Sequence, residues 1–229
     1  MKKCLIFIIL FPVIVLAQHS NLNKKELAKK QITELHNGVL LVRLSTYDLK
    51  IAAMQKAGKT EQVKQFESGI TKMNNDLVSS FTTNFQFCPV YFFYSKNSEA
   101  VKNKNLAGLI LDSNLKPIDI KLLDGKKIFI AEIGKTESDT TMRSSNEEYQ
   151  FKDSVGYENR KTYYENDNIS YLALLIRSDE FIQLQKPFPA YIKFKSYDLV
   201  PVKTEKINNA VINLEKELNA FYKKQKYIK

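Results

Sequence analysis

The chain has no tryptophan, two histidines, two cysteines, six prolines and seven glycines in 229 residues. Each scarcity removes a class of protein. Cys4 lies just before the apolar N-terminal run, in the stretch expected to be removed, so Cys88 would stand alone and no disulfide framework can form. His19 and His36 are too few for a histidine zinc site, and no His-Glu-x-x-His is present. A Ser-His-Asp triad would need His36, and no Gly-x-Ser-x-Gly elbow exists to serve it. So little glycine and proline excludes collagen-like and low-complexity chains. The apolar run Leu5–Leu16 falls well short of the ~20 residues a spanning helix needs and contains Pro12, which excludes a polytopic membrane protein.

What is present starts with a leader. Met1-Lys2-Lys3 is a short positive region, the apolar run follows, and Val15-Leu16-Ala17 puts short side chains at the −3 and −1 positions before Gln18. This pattern predicts a secretory signal peptide over 1–17, cleaved between Ala17 and Gln18. No cysteine follows that bond, so a lipid-anchored N-terminus is not expected. A periplasmic or secreted chain is, with no transmembrane segment after cleavage.

Loss of Lys2 and Lys3 takes the formal net charge from +10 to +8. The excess sits at the two ends. Residues 18–60 carry eight basic and three acidic side chains, and residues 201–229 carry seven and three. Residues 132–167 reverse the balance, with five basic and nine acidic. Basic clusters attract phosphates, but an exported protein rarely meets nucleic acid. The expected partner is an envelope protein, a glycan or an anionic lipid surface.

Periodicity predicts one α/β domain over 18–229. Asn23-Lys24-Lys25-Glu26 has capping-box form, with Leu27, Ala28, Ile32 and Leu35 as an apolar stripe and Asn37-Gly38 as the stop. Val39–Leu44 reads as a buried strand. Thr46 is placed to cap a helix over 47–57. A longer helix from Thr60 carries Val63, Phe66, Ile70, Met73, Leu77, Phe81 and Phe85 on one continuous face. Cys88-Pro89 leads into the aromatic strand Val90–Tyr94, so strand, helical hairpin and strand predict a parallel pair with a right-handed crossover. A short helix at 98–102, strands at 109–111, 127–133 and 171–176, and an edge strand at 191–194 follow. A C-terminal helix from about Val202 has Ile207, Val211, Leu214, Leu218 and Phe221 as its inner stripe. The expected architecture is a mixed sheet of five or six strands, covered by the long hairpin crossover and the C-terminal helix. Residues 134–168 are polar and predict short hairpins or a flap.

Few motifs carry chemistry. Gly58-Lys59-Thr60 and Gly134-Lys135-Thr136 spell the end of a phosphate loop, but Ala53 and Phe129 occupy the position of its first glycine. Cys88 has no second cysteine and precedes a hydrophobic strand, which reads as an inert buried thiol. Paired carboxylates are the catalytic device the chain can staff: Glu132, Glu147, Glu148, Asp153, Glu158, Glu165 and Asp167. No Asp-x-Asp-x-Asp-Gly calcium loop is present, and no cofactor or metal is expected. Tyr149, Tyr157, Tyr163 and Tyr164 in the polar segment are the candidate binding residues, since tyrosines suit binding surfaces. The aromatic patch at Tyr91–Tyr94 could line a ligand or partner surface as well, but it reads first as core.

The turn KAGKTEQVKQFESGI looks like that between the helices of a tetratricopeptide repeat, but it does not recur, so it predicts an ordinary hairpin. The leader, GVLLVRL, KAGKTE and FCPVYFFYS together resemble an uncharacterised family of secreted proteins of Bacteroidota. That resemblance implies export and supplies no activity, ligand or catalytic residue. The expected function is that of an exported, non-enzymatic envelope protein acting by binding or assembly. The alternative is a carboxylate-dependent hydrolase of envelope or extracellular polysaccharide.

Overall fold

The computed structural model describes residues 24–137, 171–195 and 200–226, together with the backbone of 151–153 and 156–158. The chain folds as α/β. Helix α1 (Lys24–Asn37) precedes strand β1 (Val39–Leu44), and helices α2 (Asp48–Lys56) and α3 (Thr60–Asn84) lead to β2 (Val90–Tyr94). A 3-10 turn (Ser95–Asn97), helix α4 (Ser98–Lys102) and a second 3-10 turn (Ile120–Leu123) lead to β3 (Ile128–Lys135). Strands β4 (Phe151–Asp153) and β5 (Gly156–Glu158) form a separate antiparallel hairpin. Strands β6 (Leu172–Ser178) and β7 (Tyr191–Lys193) and helix α5 (Thr204–Lys226) complete the order.

The main sheet has five strands in the order β2-β1-β3-β6-β7. β1 is parallel to both β2 and β3, while β6 is antiparallel to β3 and to β7. The helical hairpin therefore makes the parallel connection that the apolar periodicity predicts. On the first face of the sheet, Leu40, Val42 and Leu44 of β1, Phe129 and Ala131 of β3, and Leu174 and Ile176 of β6 meet α1, α3 and α5. The predicted stripes do this work: Ile70, Met73, Leu77 and Phe81 of α3 and Ile207, Val211, Leu214 and Leu218 of α5 are buried. Glu215 of α5 also accepts from the amides of Gln86 and Phe87 at 3.2 and 3.1 Å, pinning the chain as it leaves α3. On the second face, Val39, Leu41, Phe93 and Ile130 pack under Val101, Leu106, Ile110 and Leu123. The aromatic strand is core on both sides, with Phe92 in one cluster and Phe93 in the other.

Four local expectations change. Residues 109–111 form no strand; Leu111 makes only single bridges to Phe92 and Pro117. The Asp112 carboxylate accepts from the amides of Asn114 and Lys116, turning the chain before it can extend. Thr46 does not cap α2: its hydroxyl donates to Asp48 Oδ2 at 2.7 Å, and Tyr47 takes the cap position in the left-handed region at φ 54. Gly38 stops α1 through close approach rather than through a left-handed turn. A Cβ there would lie 2.3 Å from the Lys127 carbonyl oxygen, because the chain must pass directly from α1 into the β1–β3 pair. β3 continues to Lys135, so Gly134 and Lys135 belong to the sheet rather than to the polar segment. The capping role of Asn23 lies outside the described residues.

Candidate functional site

The side-chain alternation of β1 puts Val39, Leu41 and Arg43 on the second face. Two apolar residues are thus followed by a guanidinium at the strand's carboxyl end. The register sets Arg43 opposite Glu132 of β3, and a charge entering a sheet interior needs such a partner. Glu132 is 8% exposed at its side chain and accepts from Arg43 Nη1 at 2.6 Å and from Arg177 Nε at 2.7 Å. Each carboxylate oxygen therefore has its own guanidinium. Arg177, on β6, also donates to Glu137 and to the carbonyl of Phe181 at 3.0 Å. Glu137 itself is 54% exposed, so water screens its charge.

Arg43 extends the network toward β2. Its Nε donates to Ser98 Oγ at 2.8 Å, and that hydroxyl donates to the Ser95 carbonyl at 2.6 Å. Ser95 Oγ accepts from the Thr46 amide at 2.8 Å and lies 2.9 Å from Thr46 Oγ1. Because Thr46 Oγ1 gives its proton to Asp48, Ser95 must be the donor of that pair. The chain segments that leave β1 and β2 are thereby tied to one another. Below them, Asn74 of α3 donates to the Ser45 carbonyl at 2.9 Å, while its Oδ1 is buried without a partner among the described residues. The Tyr47 ring packs edge-on to Phe66 at 5.7 Å. Burial pushes its phenol above the usual range, against the lowering effects of the Ser45 hydrogen bond and Arg43.

The other candidates are engaged elsewhere. Cys88 is buried, and loss of solvation together with nearby Glu215 pushes its thiol up to about 12. A thiol held neutral is no nucleophile. His36 stacks on Tyr222 at 4.2 Å and meets Phe87 edge-on at 5.1 Å. Gly58-Lys59-Thr60 joins two helices, and Thr136 closes the β3–β6 pair by bonding both backbone groups of Tyr171, so neither forms a phosphate loop. Glu132 faces two arginines rather than a second acid. Of its expected companions, Glu147, Glu148, Glu165 and Asp167 lie outside the described residues, and Asp153 and Glu158 are described at the backbone alone. Among the candidate tyrosines, Tyr149, Tyr163 and Tyr164 lie outside the described residues, and Tyr157 is described only as a backbone position of β5.

Sequence reasoning missed Arg43 and Arg177. A usable signal was present: each is the lone charge in an apolar strand, VLLVRL and LALLIRS. Among the described residues, no three His, Cys, Asp or Glu side chains gather as a metal site. No described helix is long and apolar enough to cross a membrane. No family model, no curated protein and no solved structure matches the chain.

Proposed function

We propose that the chain is an exported, non-enzymatic envelope protein that acts by binding or assembly. The observation that carries the reading is the state of Glu132. A general acid or nucleophile needs a free carboxylate oxygen, and both of its oxygens are held by guanidiniums. Cys88 and His36 support the same reading, since one is buried and the other is stacked on Tyr222 and packed edge-to-face with Phe87. The leader-type N-terminus supports export.

Cell fractionation with N-terminal sequencing tests the first half: the protein is expected in the periplasmic or extracellular fraction, starting at Gln18. Affinity capture from envelope fractions, run beside a reducing-sugar assay on envelope polysaccharide, tests the second. A specific partner with no release of reducing ends is expected. Release that disappears on substituting acids of 132–167 would replace this reading with the hydrolase.

A further inference from the structure

We infer that the carboxyl edge of β1 and β3 is an oxyanion-binding site centred on Arg43, taking a phosphate or carboxylate group. The inference rests on the binding function proposed above and gives its ligand a chemistry.

Topology supplies the place. In the order β2-β1-β3-β6-β7, the chain leaves β1 toward β2 and leaves β3 toward β6. β1 and β3 are adjacent parallel strands whose carboxyl ends lie side by side, and open α/β sheets bind ligands in the crevice outside the carboxyl ends of such strands. Arg43 and Glu132 stand at that point, opposite one another in register.

Charge supplies the sign. Arg177 is paired with both Glu132 and Glu137, whereas Arg43 shares Glu132 and has no second carboxylate, so Arg43 is the guanidinium left to meet an anion.

Geometry supplies the fork. Arg43 is anchored at Nε by Ser98 and at Nη1 by Glu132, and Nη2 has no partner among the described residues. The side chain is 30% exposed. An arginine fixed at two nitrogens and open at the third is preorganised for a planar or tetrahedral oxyanion. Ordering costs that normally weaken binding to a long side chain are already met by the fold. Glu132 is a positioning residue that holds the fork from behind.

The test is titration of the full mature chain with inorganic phosphate and with acetate in low-salt buffer, read by calorimetry and by thermal shift. Vesicles of phosphatidylglycerol distinguish a lipid-borne phosphate from a free one. Saturable binding of at least one probe in the millimolar range or tighter is expected. Arg43→Gln should weaken it by about ten- to hundredfold, the loss of a charge-assisted hydrogen bond. Arg43→Lys should recover only part of that affinity, because it keeps the charge and loses the fork. Circular dichroism and the unfolding midpoint of Arg43→Gln and Arg43→Lys, read alongside, guard against a misfolded arginine variant. Equal binding by wild type and folded Arg43→Gln, or no saturable binding by wild type, would overturn the site. If partner capture from envelope fractions survives in either of those cases, the oxyanion site falls alone; if the site binds phosphate through Arg43 but no partner is recovered, the envelope reading falls and the site stands.

Discussion

The two faces of the central sheet are built on different principles. The first is apolar from end to end and lies under three helices that contribute long, regular stripes. The second is apolar only at the amino half of β1. Its carboxyl half carries Arg43 and Glu132, and its cover is a five-residue helix with 3-10 turns and loops. Burying hydrocarbon stabilises in proportion to area, whereas burying three charges nearly cancels desolvation against attraction. The first face holds the fold together. The second accepts a weaker solution in which charged groups are fixed at the carboxyl ends of two adjacent parallel strands, and this is where function is expected.

Truncation separates the faces most sharply. Phe81 is fully buried between α3 and the first face. Phe81→Ala should lower unfolding free energy by about 3–5 kcal/mol in urea titration, the sum of lost transfer and an unfilled cavity. A loss below about 1 kcal/mol would mean that the first face is not the stabilising one.

Glu132→Gln probes the second face. It leaves Arg43 without a counter-charge and Arg177 with only the exposed Glu137, and about 3 kcal/mol should be lost, the low end for a broken buried pair because Arg43 is part-exposed. Replacing Arg43, Glu132 and Arg177 together by leucine should return stability to near wild type. If the triple variant remains as weak as Glu132→Gln, the charges contribute net stability and the contrast between the faces is wrong.

These differences explain what was legible. Stripes at three- and four-residue spacing identify α3 and α5 because many residues agree on one burial direction, and the β1–β2 crossover follows from their placement. The arginines were not legible as a pair. Arg43 and Arg177 are 134 positions apart, and their shared carboxylate becomes visible only when β1, β3 and β6 are in register. Single-residue turn chemistry was equally hidden: Thr46 looks like a cap, but its hydroxyl donates to Asp48 and accepts from Ser95, 49 residues on.

Gly38→Ala tests a smaller feature at the margin between the faces. The new methyl would lie 2.3 Å from the Lys127 carbonyl oxygen and 2.6 Å from that of Glu34. Both are backbone atoms, so the strand must shift, and about 1–3 kcal/mol should be lost by thermal or urea unfolding. No loss would show that α1 can move away from β1 freely.

Cys88 contributes little near neutral pH and more in alkali. In the unfolded chain its thiol ionises near its ordinary 9.0, while the folded chain keeps the proton until about 12. The unfolded state therefore binds fewer protons between those values. The stability linked to this group is whole below about pH 9 and declines as pH rises toward 12. Cys88→Ala should flatten that alkaline decline relative to wild type. Native Cys88 should also react with a thiol reagent only at the rate of opening; rapid labelling of the folded chain would contradict its burial.

The smallest effect is expected on α2, which buries no residue of its own and leans on α3 through Tyr47 and Phe66. Leu49 is 89% exposed at its first turn, and a single exposed leucine contributes almost no transfer free energy. Leu49→Lys should therefore change unfolding free energy by no more than about 0.5 kcal/mol in either direction. Phosphate binding at Arg43 should be unchanged as well, because Leu49 adds nothing to the Ser98 and Glu132 anchors that fix that guanidinium. A loss above about 1 kcal/mol would place Leu49 in a contact with another molecule or another copy of the chain, and its dependence on protein concentration would distinguish the two.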